Sequence, residues 1–222
     1  MEKIDGRRKY TLDLNPFFED SPDKYYWLGV LSTDGNIGNK EAKIRLEIKN
    51  TDIDLLYKLK DFCSSNGPIT YRTNNKNSHC ASFCINSAKL KRYLAEYNIV
   101  PNKTKIFTMP LDKIPQEFLW HYVRGLMDGD GCITLLTTKK YYPYGISFVS
   151  ANKKCVEQMK KIWELPSAHK ISENNGAFIV QKYGKDAIPI LNKIYQNSTS
   201  KNRLDRKYQR YRSIMEQSIM KN

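Results

Sequence analysis

Alternation and helical spacing divide the chain into short elements that occur twice. Lys43–Ile48 alternates without a break, with Ile44, Leu46 and Ile48 on one side and Lys43, Arg45 and Glu47 on the other. Period two is what a strand with one buried face requires. Tyr144–Ser150 is a weaker strand of the same kind. After each of these, apolar residues recur at helical spacing: Ile53, Leu56 and Leu59 following Asn50, and Val156, Met159 and Ile162 following Asn152. Two more strand-like runs follow each helix. They are Pro68–Thr73 and Cys80–Asn86 in the first half, Ser167–Ser172 and Ala177–Tyr183 in the second.

The duplication is visible in residue identities. Tyr25–Ile37 (YYWLGVLSTDGNI) aligns with His121–Ile133 (HYVRGLMDGDGCI) at a constant offset of 96, matching Gly29 to Gly125, Asp34 to Asp130 and Gly35 to Gly131. The amphipathic helices align at an offset of 102. Tyr97 with Tyr195, and Lys103 with Lys201, align at 98. The chain therefore divides into an extension (1–20), a first half (21–100), a linker (101–114) and a second half (115–222). The predicted fold class is α+β. It is a pseudo-two-fold duplication of αββαββα units, with two antiparallel sheets and the two motif helices packed at the centre.

The repeated motif sits where a helix ends. Ser21-Pro22 supplies an N-cap and a proline at the first helical position, and Pro115-Gln116-Glu117 opens the second motif helix. Each helix is expected to stop at a C′ glycine, Gly35 or Gly131. Just before the stop stands an aspartate, Asp34 or Asp130. A helix C-terminus is already partly negative, so a carboxylate there costs about 0.3–1 kcal/mol. Bringing two of them together adds repulsion. Asp-Gly alone commonly marks a turn. Two unfavourable choices at equivalent positions point instead to a cation, and a hard divalent ion such as Mg2+ suits oxygen ligands. Gly29 with Thr33, and Gly125 with Gly129, are small residues four apart, so the two helix backbones can approach closely. An EF-hand is excluded, because Cys132 occupies the fifth position of a loop beginning at Asp128 and no glutamate closes the loop.

Charge then narrows the partner. Lys plus Arg number 37 against 23 acids, a net of +14. That surplus calls for a polyanion, nucleic acid before an anionic membrane. No apolar run is long enough to span a bilayer, and the N-terminus lacks a secretory core. The expected location is the cytoplasm or an organellar matrix. The five cysteines are odd in number and scattered, as reduced thiols are. His79, Cys80 and Cys84 have no second ligand pair at zinc spacing. No Ser-His-Asp or Cys-His set occurs in duplicate, which argues against metal-free nucleophilic catalysis.

Trp27–Gly35 (WLGVLSTDG) and Val123–Gly131 (VRGLMDGDG) resemble the two motifs of double-motif LAGLIDADG homing endonucleases. Ser32 departs from the acid usual at the sixth position, whereas the eighth-position acids are intact as Asp34 and Asp130. The resemblance covers nearly the whole chain. It implies a saddle of antiparallel strands over double-stranded DNA, a long asymmetric site, and a monomer acting as a pseudo-dimer. It implies Asp34 and Asp130 as metal-binding catalytic residues, with Mg2+ as cofactor and Mn2+ able to substitute, and leaves open a backbone ligand at position 33. Lys103 and Lys201 match basic residues near the scissile phosphates. Candidate DNA contacts on the strands are Lys43, Arg45, Arg72, Lys139, Lys140, Lys170 and Lys182. The segment Lys201–Tyr211 adds Arg203 and Arg206. Gly29 and Gly125 are the helix-interface candidates. A splicing maturase that binds its own intron RNA is the alternative, and a non-catalytic DNA-binding regulator is a third. Neither needs the two acids.

Overall fold

The computed structural model describes residues 9–73, 79–135 and 143–220. The first half runs α1 (Pro22–Thr33), β1 (Gly35–Ile37), β2 (Lys43–Lys49), α2 (Asp54–Phe62), β3 (Thr70–Thr73), β4 (His79–Asn86) and α3 (Ala88–Glu96). The second half repeats it: α4 (Leu119–Asp130), β5 (Gly131–Leu135), β6 (Tyr144–Ser150), α5 (Lys153–Ile162), β7 (Ser172–Asn174), β8 (Ala177–Tyr183) and α6 (Ala187–Tyr195). A further helix, α7 (Asp205–Met220), follows. Each half forms a four-stranded antiparallel sheet in equivalent order, β1-β2-β4-β3 and β5-β6-β8-β7. The architecture is the duplicated α+β one that the pattern predicts. Of Ser167–Ser172, only Ser172 lies in a strand. His169 there uses its Nε2 on the Gln181 carbonyl, and Lys160 binds the Ser167 and His169 carbonyls.

The motif helices form the centre. Ser21 Oγ accepts from the Lys24 amide at 3.1 Å and caps α1, with Pro22 at its first position. Tyr25, Tyr26, Trp27, Leu28, Val30 and Leu31 are all buried, so α1 is apolar around its whole circumference, as only a central helix can be. In α4, Tyr122, Val123, Leu126 and Met127 are equally buried. The two helices cross at Gly29 and Gly125. A Cβ on Gly29 would fall on the Tyr122 carbonyl and 2.9 Å from Gly125 Cα; a Cβ on Gly125 would fall on the Tyr26 carbonyl and 2.9 Å from Gly29 Cα. The clash is reciprocal because the halves are related by a pseudo-two-fold axis.

Gly35 and Gly131 do not adopt the left-handed C′ conformation expected of them; Gly131 has φ −86° and ψ 156°. Each helix passes straight into a strand. The glycine is needed for space, since a Cβ on Gly35 would strike the Leu31 carbonyl and one on Gly131 the Met127 side chain.

The sheets carry helices on one face. On the first, Ile37, Ile44, Leu46, Ala81, Phe83 and Ile85 point to the core. On the second, Ile133, Ile146, Phe148 and Val180 do. Residues 9–20 fold onto the first half: Asp13 N–H reaches the Cys63 carbonyl at 2.8 Å, and Phe17 is fully buried edge-on to Phe62. Residues 101–114 include two short helical turns, Lys103–Lys105 and Leu111–Lys113. The Gln158 amide braces them through both the N–H and the carbonyl of Met109, each at 2.8 Å.

Candidate active site

The glycine crossing brings the tips of α1 and α4 side by side. Asp34 is the C-cap of α1, with φ −90° and ψ −9°, and its N–H donates to the Val30 carbonyl at 2.9 Å. Asp130 is the last residue of α4. A Cβ at position 129 would lie 3.1 Å from Asp34 Oδ2 and inside the Thr33 side chain, so Gly129 makes room for the opposite helix tip. Burial pushes the Asp34 carboxyl up to about 6, and the negative charge of Asp130 pushes in the same direction. Asp130 is raised chiefly by burial, against the pull of the two nearby ammonium groups of Lys207 and Lys103.

Those two lysines occupy equivalent places. Each helix ends with carbonyls that no amide can reach. Lys103 Nζ donates to the Thr33 carbonyl at 3.4 Å and to that of Gly35. Lys207 Nζ donates to the Met127, Asp128 and Gly131 carbonyls at 2.7, 2.8 and 2.7 Å, and to Gly129 at 3.2 Å. Both lysines are buried, and desolvation lowers the pKa of each. Each ammonium offsets the negative end of a helix and partly offsets the two carboxylates.

Lys103, which the repeat alignment pairs with Lys201, lies at the tip of α1. Lys201 is not its counterpart. Lys201 is exposed and lines a separate cavity of about 580 Å³ with Pro16, Glu19 and Asp20. Lys207 takes its place, because the second half has six more residues than the first between the matched tyrosine and this lysine. The extra residues form a turn tied down by Arg124, whose buried guanidinium donates to Asn202 O at 2.6 Å, to Asn202 Oδ1 at 2.8 Å and to Ile194 O at 2.9 Å.

The sixth motif position differs between halves. Asp128 is buried and accepts from Tyr26 OH and Tyr195 OH, both at 2.9 Å, and from the Leu204 amide at 2.6 Å. Burial raises its pKa, while Lys207 and these hydrogen bonds pull it back. Ser32 instead caps the Leu28 carbonyl at 2.8 Å and meets Tyr122 OH at 3.2 Å.

Two carboxylates from opposite helix tips fit a hard divalent cation. Their raised pKa values mean that the pair holds a proton more tightly than free aspartates do, and a cation would replace that proton. Among the described residues no three His, Cys, Asp or Glu side chains converge, so water or a ligand's oxygens would complete the coordination. His79, Cys80 and Cys84 do not form a site either. The cysteines fall on the open face of the sheet, and His79 pairs with Thr73 on the other.

No protein-family model and no curated protein matches the chain. Solved structures do. I-LtrWI, a LAGLIDADG homing endonuclease bound to target DNA, is 12% identical over 90% of this chain and 91% of its own, with a TM-score of 0.56. I-CpaMI, a LAGLIDADG meganuclease bound to uncleaved DNA, is 12% identical over 92% and 94%, at 0.53. The meganuclease I-SmaMI bound to uncleaveable DNA is 13% identical over 79% and 84%, at 0.52. The chain has the LAGLIDADG homing endonuclease fold. At these identities the likeness is one of fold, and it holds across both halves.

Within the LAGLIDADG fold the remaining candidates separate. Lys43, Arg45 and Arg72 lie on the open face of the first sheet, in register with Asn86, Cys84 and Cys80. Lys182 does not share that placement. It pairs with Ile146, so it emerges on the helix-covered face, where Asp186 holds it at 2.7 Å. The odd–even count puts Lys182 with the core residues, an error of register that alternation alone exposes once the strand pairing is known. Lys170 is exposed just before β7, and Lys139 and Lys140 lie outside the described residues. Arg203 contacts Asp205 at 3.3 Å and stacks on the Tyr208 ring at 3.5 Å. Arg206 grips Asp52 with two bonds of 2.8 and 2.9 Å. The Arg203 contacts stay within the C-terminal segment, whereas Arg206 ties that segment to the first half.

Proposed function

We propose that the protein is a site-specific double-strand DNA endonuclease that uses a divalent cation, Mg2+ with Mn2+ as a substitute, and acts as a single-chain pseudo-dimer. One observation carries the reading: pseudo-equivalent helix tips deliver two carboxylates to one place, each flanked by a buried lysine, between two sheets. The resemblance of both motifs and the DNA named with the structural neighbours support it.

Asp34 and Asp130 would hold the cation, which supplies Lewis-acid polarisation of a phosphate and a lowered pKa for bound water. The chain's own groups set the conditions. Asp34 must be ionised to serve, and its burial beside Asp130, which raises its pKa, makes the cation compete with a proton there. Lys103 and Lys207 stay close to the carboxylates, fixed by carbonyls rather than by flexible stems, and offset charge that builds on a phosphate between the helix tips. Among the described residues Lys103 has two protein acceptors for three N–H bonds, which leaves one donor for a phosphate oxygen. A cavity of about 60 Å³ beside Asp130, lined by Thr33, Lys103, Thr104 and Phe148, has room for water.

The test is selection of cleaved duplexes from a randomised DNA library in Mg2+, repeated with Asp34→Asn. Linear, sequence-specific product with the parent and none with the variant supports the proposal. Product formation by both overturns it. A maturase would use the basic surface but has no need for the paired acids. An intron-splicing assay on the same preparation separates that reading.

A further inference from the structure

This inference rests on the endonuclease reading and concerns the kind of DNA each half takes. In each sheet one face is covered by helices and the other is open. Along a strand, side chains on one face repeat every ~6.8 Å, which is two base-pair rises of ~3.4 Å. A strand laid along a groove therefore offers one open-face side chain to every second base pair.

The two open faces differ in chemistry. The first carries Lys43, Arg45, Glu47 and Lys49 on β2 and Arg72 on β3. Glu47 lies between two guanidinium groups, Arg45 at 3.9 Å and Arg72 in closer contact. Arg45 Nε is buried without an acceptor, and Glu47 Oε2 without a donor. Such unmet groups cost free energy until a ligand satisfies them. A guanidinium fork matches guanine O6 and N7.

On the second sheet, no charged side chain among the described strand residues falls on the open face. In its middle Val149 pairs with Ile179 and Ser147 with Gln181. Val149 and Ile179 are half-exposed apolar side chains. Tyr183 OH donates to Gln181 Oε1 at 3.0 Å and pins that amide. Apolar groups in a major groove meet the thymine methyl, and a glutamine amide pairs with adenine N6 and N7.

We propose that the target is compositionally polar: guanine contacts beneath the first sheet, and an A·T-rich stretch beneath the second, read by Val149, Ile179 and Gln181. The experiment enriches duplexes from a randomised library by binding without divalent cation, then modifies one half-site at a time. Replacing guanine by 7-deazaguanine in one half should weaken binding about tenfold, and Arg45→Ala should abolish that sensitivity. Replacing thymine by uracil, which removes only the methyl, should weaken binding about tenfold in the other half and less than about twofold in the first. The double variant Val149→Ser/Ile179→Ser should abolish the uracil effect. The modified duplexes test the unaltered protein, so misfolding of a variant cannot mask the answer. Equal sensitivity of both halves, or enrichment of no common sequence, overturns the inference. A polar site that is bound but not cut in Mg2+ supports the inference while removing the nuclease reading. Cutting at an unpolarised site does the reverse.

Discussion

The two helix tips share a plan and differ in how each is held. At the tip of α1, Lys103 binds two carbonyls, one of them at 3.4 Å, and the sixth motif position is a serine. At the tip of α4, Lys207 binds four carbonyls, and the sixth position is a buried aspartate with three hydrogen-bond donors. One of those donors is the Leu204 amide, three residues before Lys207. Asp128 therefore fixes the segment that delivers the lysine. In the first half the corresponding lysine arrives on a short turn at Lys103–Lys105 and needs no such anchor. A duplicated site can thus keep its charges while the scaffolding beneath each copy diverges.

The comparison breaks first at the carboxylates if the halves are not both required. Asp34→Asn and Asp130→Asn should each reduce double-strand cleavage by at least ~10³-fold, while gel-shift affinity changes no more than a few-fold. Full cutting by both would remove the paired-acid mechanism. Stability sharpens the comparison next. Lys207→Met removes the ammonium shared by four carbonyls, of which only that of Met127 also holds the Gly131 amide, and should cost about 2–4 kcal/mol in chemical denaturation. Lys103→Met should cost about half as much, since its ammonium serves two. Equal losses would show that the four contacts do not add up. A smaller contrast tests the sixth position. Asp128→Asn presents an amide to three donors and should cost about 2 kcal/mol, against less than ~1 kcal/mol for Ser32→Ala.

The smallest expected effect is in pH. Because the Asp34 pKa is raised to about 6, the folded chain binds more protons than the unfolded one between the ordinary carboxylate range and that value. Its contribution to stability therefore falls as pH rises through this window. Divalent-cation affinity should rise across the same window, as the competing proton leaves. At pH 8 without cation, Asp34→Asn should melt higher than the parent by a few degrees, a gain of about 1 kcal/mol after allowance for solvent screening. A lower melting temperature would mean that Asp34 supports the fold rather than straining it.

Periodicity and duplication made most of this molecule legible. The alternation of Lys43–Ile48 and the matched glycines specify strands, faces and a helix crossing directly, because each rests on local geometry. The paired acids were readable for a similar reason: their position is electrostatically wrong for a helix end. Lys207 was not, since an insertion in the second half shifts the register and a nearby lysine, Lys201, fits the simple offset. What identifies Lys207 is a set of carbonyls about 76–80 residues away in the chain, which a linear pattern does not contain. Lys182 fails similarly, since which face it takes depends on its pairing with Ile146. The role of Arg206 as a clasp depends on Asp52, which belongs to the other half.

The crossing of α1 and α4 has a consequence for how such a molecule can change. No side chain stands between Gly29 and Gly125, so the separation of the two acids is fixed by main chain resting on main chain. Rotamer shifts and neutral drift in the strands leave it untouched. The open faces are free to change their side chains while the spacing of Asp34 and Asp130 stays a mechanical constant of the scaffold.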